Sequence, residues 1–328
     1  MEIKKITKSE IEKLISIEDA LEAVEEAFEA KGTGKTQMPP KSYIYFKKFD
    51  GDFRVMPAYL EELGAAGVKV VNVHPKNPES KGMPSVMATV ILLSPETGSP
   101  IAFMDGTLIT GLRTGAAGGV AAKYLARKDS RKIGMVGTGA QARTQLSALN
   151  EVLEINEVKA YSRDKKLRRE FTNKMSEEFD FEVESVNECK EAVIGMDVIV
   201  TTTPTRSPII SNKWISEGMH INAIGADAQG KQELDSKILQ RAKIVIDDWE
   251  QASHSGEINV PLSEGEITRD NMYGDIGEVV SGEKDGRTSN DEITVFDSTG
   301  LAVQDIATAW KVYQLAEEKG VGDKLNLF

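Results

Sequence analysis

The stretch Arg131-Lys-Ile-Gly-Met-Val-Gly-Thr-Gly-Ala-Gln-Ala142 constrains this 328-residue chain more than any other. Lys132 to Val136 read as a short apolar strand, and a helical run follows from Gln141. Between them Gly137, Gly139 and Ala142 fall in the G-x-G-x-x-A spacing. Gly137 permits the tight strand-to-helix turn, Gly139 lets the backbone approach a pyrophosphate with no Cβ in the way, and Ala142 lets the helix lie close on the strand. The loop Gly137, Thr138, Gly139, Ala140 and Gln141 then offers the N–H groups of a helix N-terminus to the phosphates of a dinucleotide.

The chain beyond keeps a βα rhythm. Apolar strands are expected at 158–161, 181–186, 197–203, 219–224 and 243–247, with helices over 164–179, 188–195 and 233–241. Such alternation predicts a parallel sheet covered on both faces. The first hundred residues read differently. Helices over 9–31 start at Ser9, with Glu12 three residues on, and at Ser16, with Asp19. Strands follow at 41–46 and 53–57, which form a hairpin, then at 67–73, 85–93 and 100–104, largely antiparallel. A small-residue helix over 108–126 leads into the glycine loop. After a strand at 292–296, an amphipathic helix over 301–319 is expected to pack back on the first domain. The fold class is therefore α/β. A Rossmann dinucleotide-binding domain, residues 125–295, is inserted in a mixed α/β domain made of residues 1–124 and 296–328.

Composition excludes several classes of function. A formal charge of −12, from 52 acidic and 40 basic side chains, argues against a nucleic-acid or anionic-membrane surface. No apolar run approaches the length of a membrane span, and Met1-Glu-Ile-Lys-Lys lacks the apolar core of a signal peptide. One cysteine, Cys189, cannot form an intrachain disulfide, and three histidines (His74, His220 and His254) without paired acidic spacing make no metal site. These features point to the cytoplasm.

A few charges stand where charge is costly. Lys69 sits in the middle of the apolar strand Gly67–Val73, where a lysine either snorkels at an edge or is buried, paired or with a lowered pKa. Arg113 is the one charge between Gly106 and Ala122 and needs an anion from the protein or a ligand. Ligands of open α/β sheets bind beyond the carboxyl ends of the strands. There the glycine loop should meet the loops at 201–206, with Thr202 and Thr203, and at 225–231, with Gly225, Ala226 and Asp227. Ser162-Arg163 ends the second strand of the Rossmann domain. An arginine there suits the 2′-phosphate of NADP, so the cofactor is NAD or NADP with a slight lean to NADP.

Taken together, Gly67-Val-Lys-Val-Val-Asn-Val-His-Pro75, Gly111-Leu-Arg-Thr-Gly-Ala-Ala117, the glycine loop, Ile224-Gly-Ala-Asp-Ala-Gln-Gly-Lys-Gln-Glu-Leu234 and Thr294-Val-Phe-Asp-Ser-Thr-Gly300 resemble the ornithine cyclodeaminase/mu-crystallin family, in order and over nearly the whole chain. In character the chain is most similar to the family's archaeal alanine dehydrogenases. The resemblance implies a homodimer, with the substrate-binding and dimerisation domain built from both chain ends. It implies that Lys69 and Arg113 face the substrate carboxylate and the nicotinamide, with Lys69 as acid/base, and that Lys41 and Arg54 are further substrate-side residues. Asp227 matches the catalytic aspartate of the cyclodeaminases, and Ser298 a cofactor-contacting position. Where the cyclodeaminases carry a glutamate before the Met-Pro pair, this chain has Arg54 before Val55-Met56-Pro57, which repels a distal ammonium. The implied activity is NAD(P)-dependent oxidative deamination of a small L-amino acid, L-alanine first. Lys69 would act with a pKa lowered by Arg54 and Arg113. The alternatives are ornithine cyclodeamination, ketimine reduction, and non-enzymatic NADPH binding of the mu-crystallin kind.

Overall fold

The computed structural model describes residues 2–326. The chain divides into two compact units, residues 1–113 with 301–328, and residues 114–300. The sequence reading set these divisions at 124/125 and 295/296; by packing the first falls inside a helix.

The first part of the chain runs β1 (Glu2–Ile6), α1 (Lys8–Leu14), α2 (Ile17–Gly32), β2 (Thr36–Gln37), β3 (Ser42–Phe46), β4 (Gly51–Leu60), β5 (Ala65–Val73), α3 (Asn77–Lys81), β6 (Val86–Leu93), β7 (Pro100–Asp105) and α4 (Gly106–Leu125). The second unit adds β8 (Lys132–Val136), α5 (Ala140–Val152), β9 (Glu157–Tyr161), α6 (Lys165–Glu178), β10 (Val183–Ser185), β11 (Val198–Thr201), β12 (His220–Ala223), α7 (Ser236–Leu239), β13 (Lys243–Ile246), α8 (Trp249–Ser255), α9 (Asn259–Ser263), β14 (Met272–Asp275), α10 (Ile276–Val280) and β15 (Thr294–Asp297). The chain then returns to the first unit with α11 (Ala302–Glu318) and β16 (Asp323–Asn326).

The first unit is one mixed sheet in the order β16-β1-β7-β6-β5-β4-β2, with β3 also on β4. β5 is interior, paired on both sides, so Lys69 stands opposite Met56 and Val90 rather than at an edge. α11 packs on α2 and lies across β4, β5 and β6. Along β5 the residues Ala65, Gly67, Lys69 and Val71 are buried and their alternates are half-buried, the period-two pattern of a strand with one covered face. α2 starts where Ser16 Oγ accepts from the Asp19 amide at 3.1 Å and the Asp19 carboxylate accepts from the Ser16 amide at 3.0 Å. It buries Ala20, Leu21, Val24, Ala27 and Phe28; a fully buried side chain like Phe28 contributes about 1.5–3 kcal/mol. α1 is capped by Thr7 with Glu10, two residues earlier than the expected Ser9–Glu12 pair, because the Glu10 carboxylate accepts from the Thr7 amide at 2.7 Å.

The second unit is an all-parallel sheet in the order β10-β9-β8-β11-β12-β15-β13-β14. From β10 through β12 this is the doubly wound order 3-2-1-4-5, with the reversal between β8 and β11. The expected helix at 233–241 shortens to Ser236–Leu239. Its first amides are taken, since the Glu257 carboxylate accepts from Glu233 N at 2.8 Å and Leu234 N at 2.6 Å. The expected helix at 188–195 is a short 3-10 turn, Cys189–Ala192. His254, read as a loop residue, lies in α8. Among the described residues no helix is long and apolar enough to cross a membrane.

Candidate active site

In the first unit, β5, α4 and α11 bring three charged side chains into contact. Lys69 is 1% exposed, and its Nζ donates to Asp305 Oδ1 at 2.6 Å. Arg113, 7% exposed, donates from Nε to the same oxygen at 2.8 Å and from Nη1 to Gln304 Oε1 at 3.1 Å. Burial pulls the Lys69 ammonium down to about 7. The Asp305 carboxylate opposes that fall, and the charges of Arg113 and Lys41 add to it. The sequence reading expected Arg54 in the part that Lys41 plays. Arg54 does share the Lys69 face, pairing Val71 across β4 and β5. Its charge is spent nearer home, on Asp52 at 3.0 Å and over the Tyr43 ring at 5.2 Å.

In the second unit, the reversal point of the sheet holds a cavity of about 530 Å³. Gly137, Thr138, Gly139, Ser162, Arg163, Thr202 and Thr203 line it, together with Asp164 and Cys189. Gly137 has φ +110°, and a Cβ there would stand 2.3 Å from Thr202 Oγ1, so only glycine makes this turn. Gly139 is the N-cap of α5 with an ordinary φ of −78°, and a Cβ there would enter open space. Ala140 and Gln141 form the first turn of α5, while Ala142 is fully buried. The hydroxyls of Thr202 and Ser298 are buried without a protein partner. Open space before a helix N-terminus, beside the unpartnered hydroxyl of Thr202, fits the diphosphate and ribose of a dinucleotide. Asp164 also caps α6, accepting from Lys166 N at 2.8 Å and Leu167 N at 3.1 Å. Cys189 is half-buried, and burial raises its thiol to about 11.

Asp227 follows β12, is 40% exposed at its side chain, and is ion-paired with Lys231. Beside it Ala226 is fully buried. Gly225 is held by Glu233, whose Oε2 accepts from Gly225 N at 2.9 Å while Oε1 accepts from Thr203 N at 2.6 Å. One buried carboxylate thus ties together two of the loops expected to meet. Behind it stand three more buried acids, Glu257, Asp297 and Asp247. Asp247 accepts from Thr299 N at 2.6 Å and Gly300 N at 2.8 Å, fixing the turn that carries Ser298. Burial raises Asp297 to about 8, and burial with the neighbouring Glu233 charge raises Glu257 well above the carboxylate range.

The structure therefore groups Lys69 and Arg113, with Lys41 close enough to act on Lys69, and groups the glycine loop with Ser162, Arg163, Thr202 and Thr203. Sequence reasoning missed Asp305, Gln304 and Glu233. Asp305 left a signal: it stands between Val303, Ile306 and Ala309 in a helix whose first eight residues are all buried, and a carboxylate in such a run needs a cation.

The profile of the ornithine cyclodeaminase/mu-crystallin family matches residues 3–320. The chain is 54% identical over 328 residues to the alanine dehydrogenase of Archaeoglobus fulgidus, covering 100% of this chain and 99% of that one. Among solved structures, an archaeal alanine dehydrogenase dimer with bound NAD superposes with a TM-score of 0.96 at 54% identity, covering 100% of both chains. The Delta(1)-pyrroline-2-carboxylate reductase of Thermococcus litoralis, in complex with NADH and L-proline, superposes at 0.95 with 41% identity, covering 98% of this chain and 100% of that one.

Proposed function

The chain belongs to the ornithine cyclodeaminase/mu-crystallin family, and on that footing we propose that it is an NAD(P)-dependent amino-acid dehydrogenase whose substrate is L-alanine. The observation that carries this reading is the buried cation pair. Lys69 and Arg113 meet at one carboxylate oxygen, which sets a proton-exchanging amine beside a fixed guanidinium, the pair that deamination of an amino acid needs. The relatives' cofactors, NAD and NADH, support a nicotinamide and give no support to the lean towards NADP read from Arg163.

Two of the guanidinium nitrogens of Arg113 are committed to Asp305 and Gln304. Nη2 is the donor left for the substrate carboxylate, and a guanidinium fixed at two points holds the Cα–H in one direction. Lys69, near 7, is substantially neutral at physiological pH and takes a proton from the substrate ammonium: an N–H bond breaks on the substrate and one forms at Nζ. The nicotinamide supplies the hydride acceptor when bound. Water adds to the iminium carbon, its two protons pass to the nitrogen as the C–N bond breaks, and ammonium leaves with pyruvate; Lys69 releases the proton it took to solvent. Asp227, in the second unit, is proposed as a further catalytic carboxylate. In the second unit the cavity beside Gly137–Gly139 is assigned to the cofactor diphosphate, with Thr138, Ala140, Gln141, Ser162, Arg163, Thr202, Thr203, Gly225, Ala226 and Ser298 around it.

We assign the chain to a cytoplasmic homodimer. The sheet face opposite Lys69 supports this, because Val68, Val70 and Ile91 are half-buried there and Ile44 and Phe103 are exposed in the single chain.

An amino-acid panel run with NAD and with NADP tests the activity. L-Alanine should give stoichiometric reduced cofactor and ammonia. Ammonia from ornithine with no net reduced cofactor would mark a cyclodeaminase instead. Turnover only with cyclic imines would mark a reductase, a reading that the 41% identity to the Thermococcus enzyme keeps open. Cofactor binding with no turnover across the panel would leave a binding protein.

A further inference from the structure

Asp305 Oδ1 accepts from two cations at once, Lys69 Nζ at 2.6 Å and Arg113 Nε at 2.8 Å. Its second oxygen, Oδ2, is buried without a hydrogen bond, and so are Gln304 Nε2 and Thr308 Oγ1 on the same helix. A salt bridge built for stability would match its charges and use both oxygens, because an under-neutralised buried pair costs more than it returns. Here Lys69 and Arg113 share one oxygen of a single carboxylate and leave its other oxygen unused.

We propose that Asp305 is the positioning residue of this site. It holds Lys69 and Arg113 in register from α11 and sets how readily Lys69 exchanges its proton, without itself touching substrate. The proposal rests on the dehydrogenase reading for the identity of the proton exchanged; the control over Lys69 rests on the geometry alone.

The charges that face Lys69 come from four elements. α11 supplies Asp305, α4 supplies Arg113, the segment before β3 supplies Lys41, and β4 supplies Arg54 with its partner Asp52 on the same face. Among the largest influences on Lys69, Asp305 holds the proton, while burial, Arg113 and Lys41 drive it off. Removing the carboxylate leaves the opposing influences in place. In Asp305→Asn the Lys69 midpoint should fall by about 1–3 pH units, the size of one close opposite charge. The acid limb of kcat/KM for deamination should fall with it. The plateau kcat should drop about tenfold or more, because Lys69 becomes a weaker base and Arg113 loses its anchor. Asp305→Glu keeps the charge and should return the midpoint towards the wild-type value, while its longer reach still lowers kcat.

The experiment titrates the 13Cε resonance of Lys69 in lysine-labelled full-length protein, assigned with Lys69→Arg, beside the pH profile of reduced-cofactor formation with L-alanine. NADH binding reports that each variant is folded, and Asp305→Ser, which leaves room for water around the cations, stands in if the asparagine variant does not fold. A lowered midpoint with a matching shift of the acid limb supports the proposal. A folded variant whose Lys69 midpoint stays within about 0.3 unit of wild type overturns it, since a charge at hydrogen-bond distance cannot act so weakly on a buried lysine. A wild-type protein that reduces no cofactor with any amino acid overturns the dehydrogenase reading alone, because the Lys69 titration still reads the action of Asp305.

Discussion

Gly139→Asp should push folding and cofactor binding in opposite directions. Gly139 is the N-cap of α5, its φ of −78° suits any residue, and a Cβ there would meet nothing within 4 Å. Aspartate is a preferred N-cap and its charge suits the positive end of the helix, so the apo protein should gain about 0.5–1 kcal/mol. For a unit of this size that raises Tm by about 1–4 °C. The same carboxylate would occupy the space assigned to the diphosphate. At about 4 Å and an effective dielectric of about 20, two unit charges repel by about 4 kcal/mol. That corresponds to about a thousandfold weaker binding. The assay is scanning fluorimetry without cofactor, paired with NADH fluorescence titration. Gly137→Ala is the contrasting control: its φ of +110° and the 2.3 Å approach to Thr202 Oγ1 should cost about 2–4 kcal/mol of folding stability. A Gly139→Asp protein that binds NADH within threefold of wild type would refute the assignment of this cavity. One that folds less stably would refute the reading of Gly139 as an unstrained cap.

Lys69→Met keeps the stem of the side chain and removes the base; turnover should fall about 10²–10⁴-fold with NADH affinity unchanged, and near-full activity would end the acid/base role. Burial raises Asp297 to about 8, against about 3.9 in the unfolded chain, so between those values the folded protein holds a proton that the unfolded chain lacks. Stability should therefore fall as pH rises from about 4 to about 8. Asp297→Asn should flatten that slope in urea denaturation at pH 5 and pH 8, and an unchanged slope would show that Asp297 does not titrate in the window. Arg163→Ala should weaken NADP at least tenfold more than NAD in parallel titrations if Arg163 meets a 2′-phosphate; equal loss for both would remove that role.

What the sequence made legible follows from the range of the forces involved. The glycine loop, the parallel strands and the Ser16 cap depend on neighbours within a few residues, and each lies where the local pattern puts it. The helix expected at 233–241 failed because Glu257, 24 residues away, takes the amide of Glu233. Ser9-x-x-Glu12 offers the same signal as Thr7-x-x-Glu10, and only the chain's entry into the helix decides between them. Lys69 and Arg113 could be marked as costly charges, but the acid between them lies 236 residues from Lys69 in sequence. No periodicity links the two positions.

The two units bury titratable groups of opposite kind. In the first unit, Lys69 and Arg113 share Asp305. In the second, Glu233, Glu257, Asp297 and Asp247 are all fully buried, and the hydrogen bonds that hold them come mainly from backbone amides. Lys69, depressed to about 7 against about 10.4 unfolded, gives up a proton on folding in that window, so its contribution to stability rises with pH. Asp297 takes one up on folding below about 8, and its contribution falls with pH. Near neutral pH the two exchanges cancel in part, and folding should release or absorb far less than one proton for this pair. Calorimetric unfolding in buffers of different ionisation enthalpy would read that balance. Relative to wild type, Lys69→Met should shift the balance towards proton uptake on folding, and Asp297→Asn towards proton release. Identical buffer dependence in both variants would mean that neither group carries the pKa its burial implies.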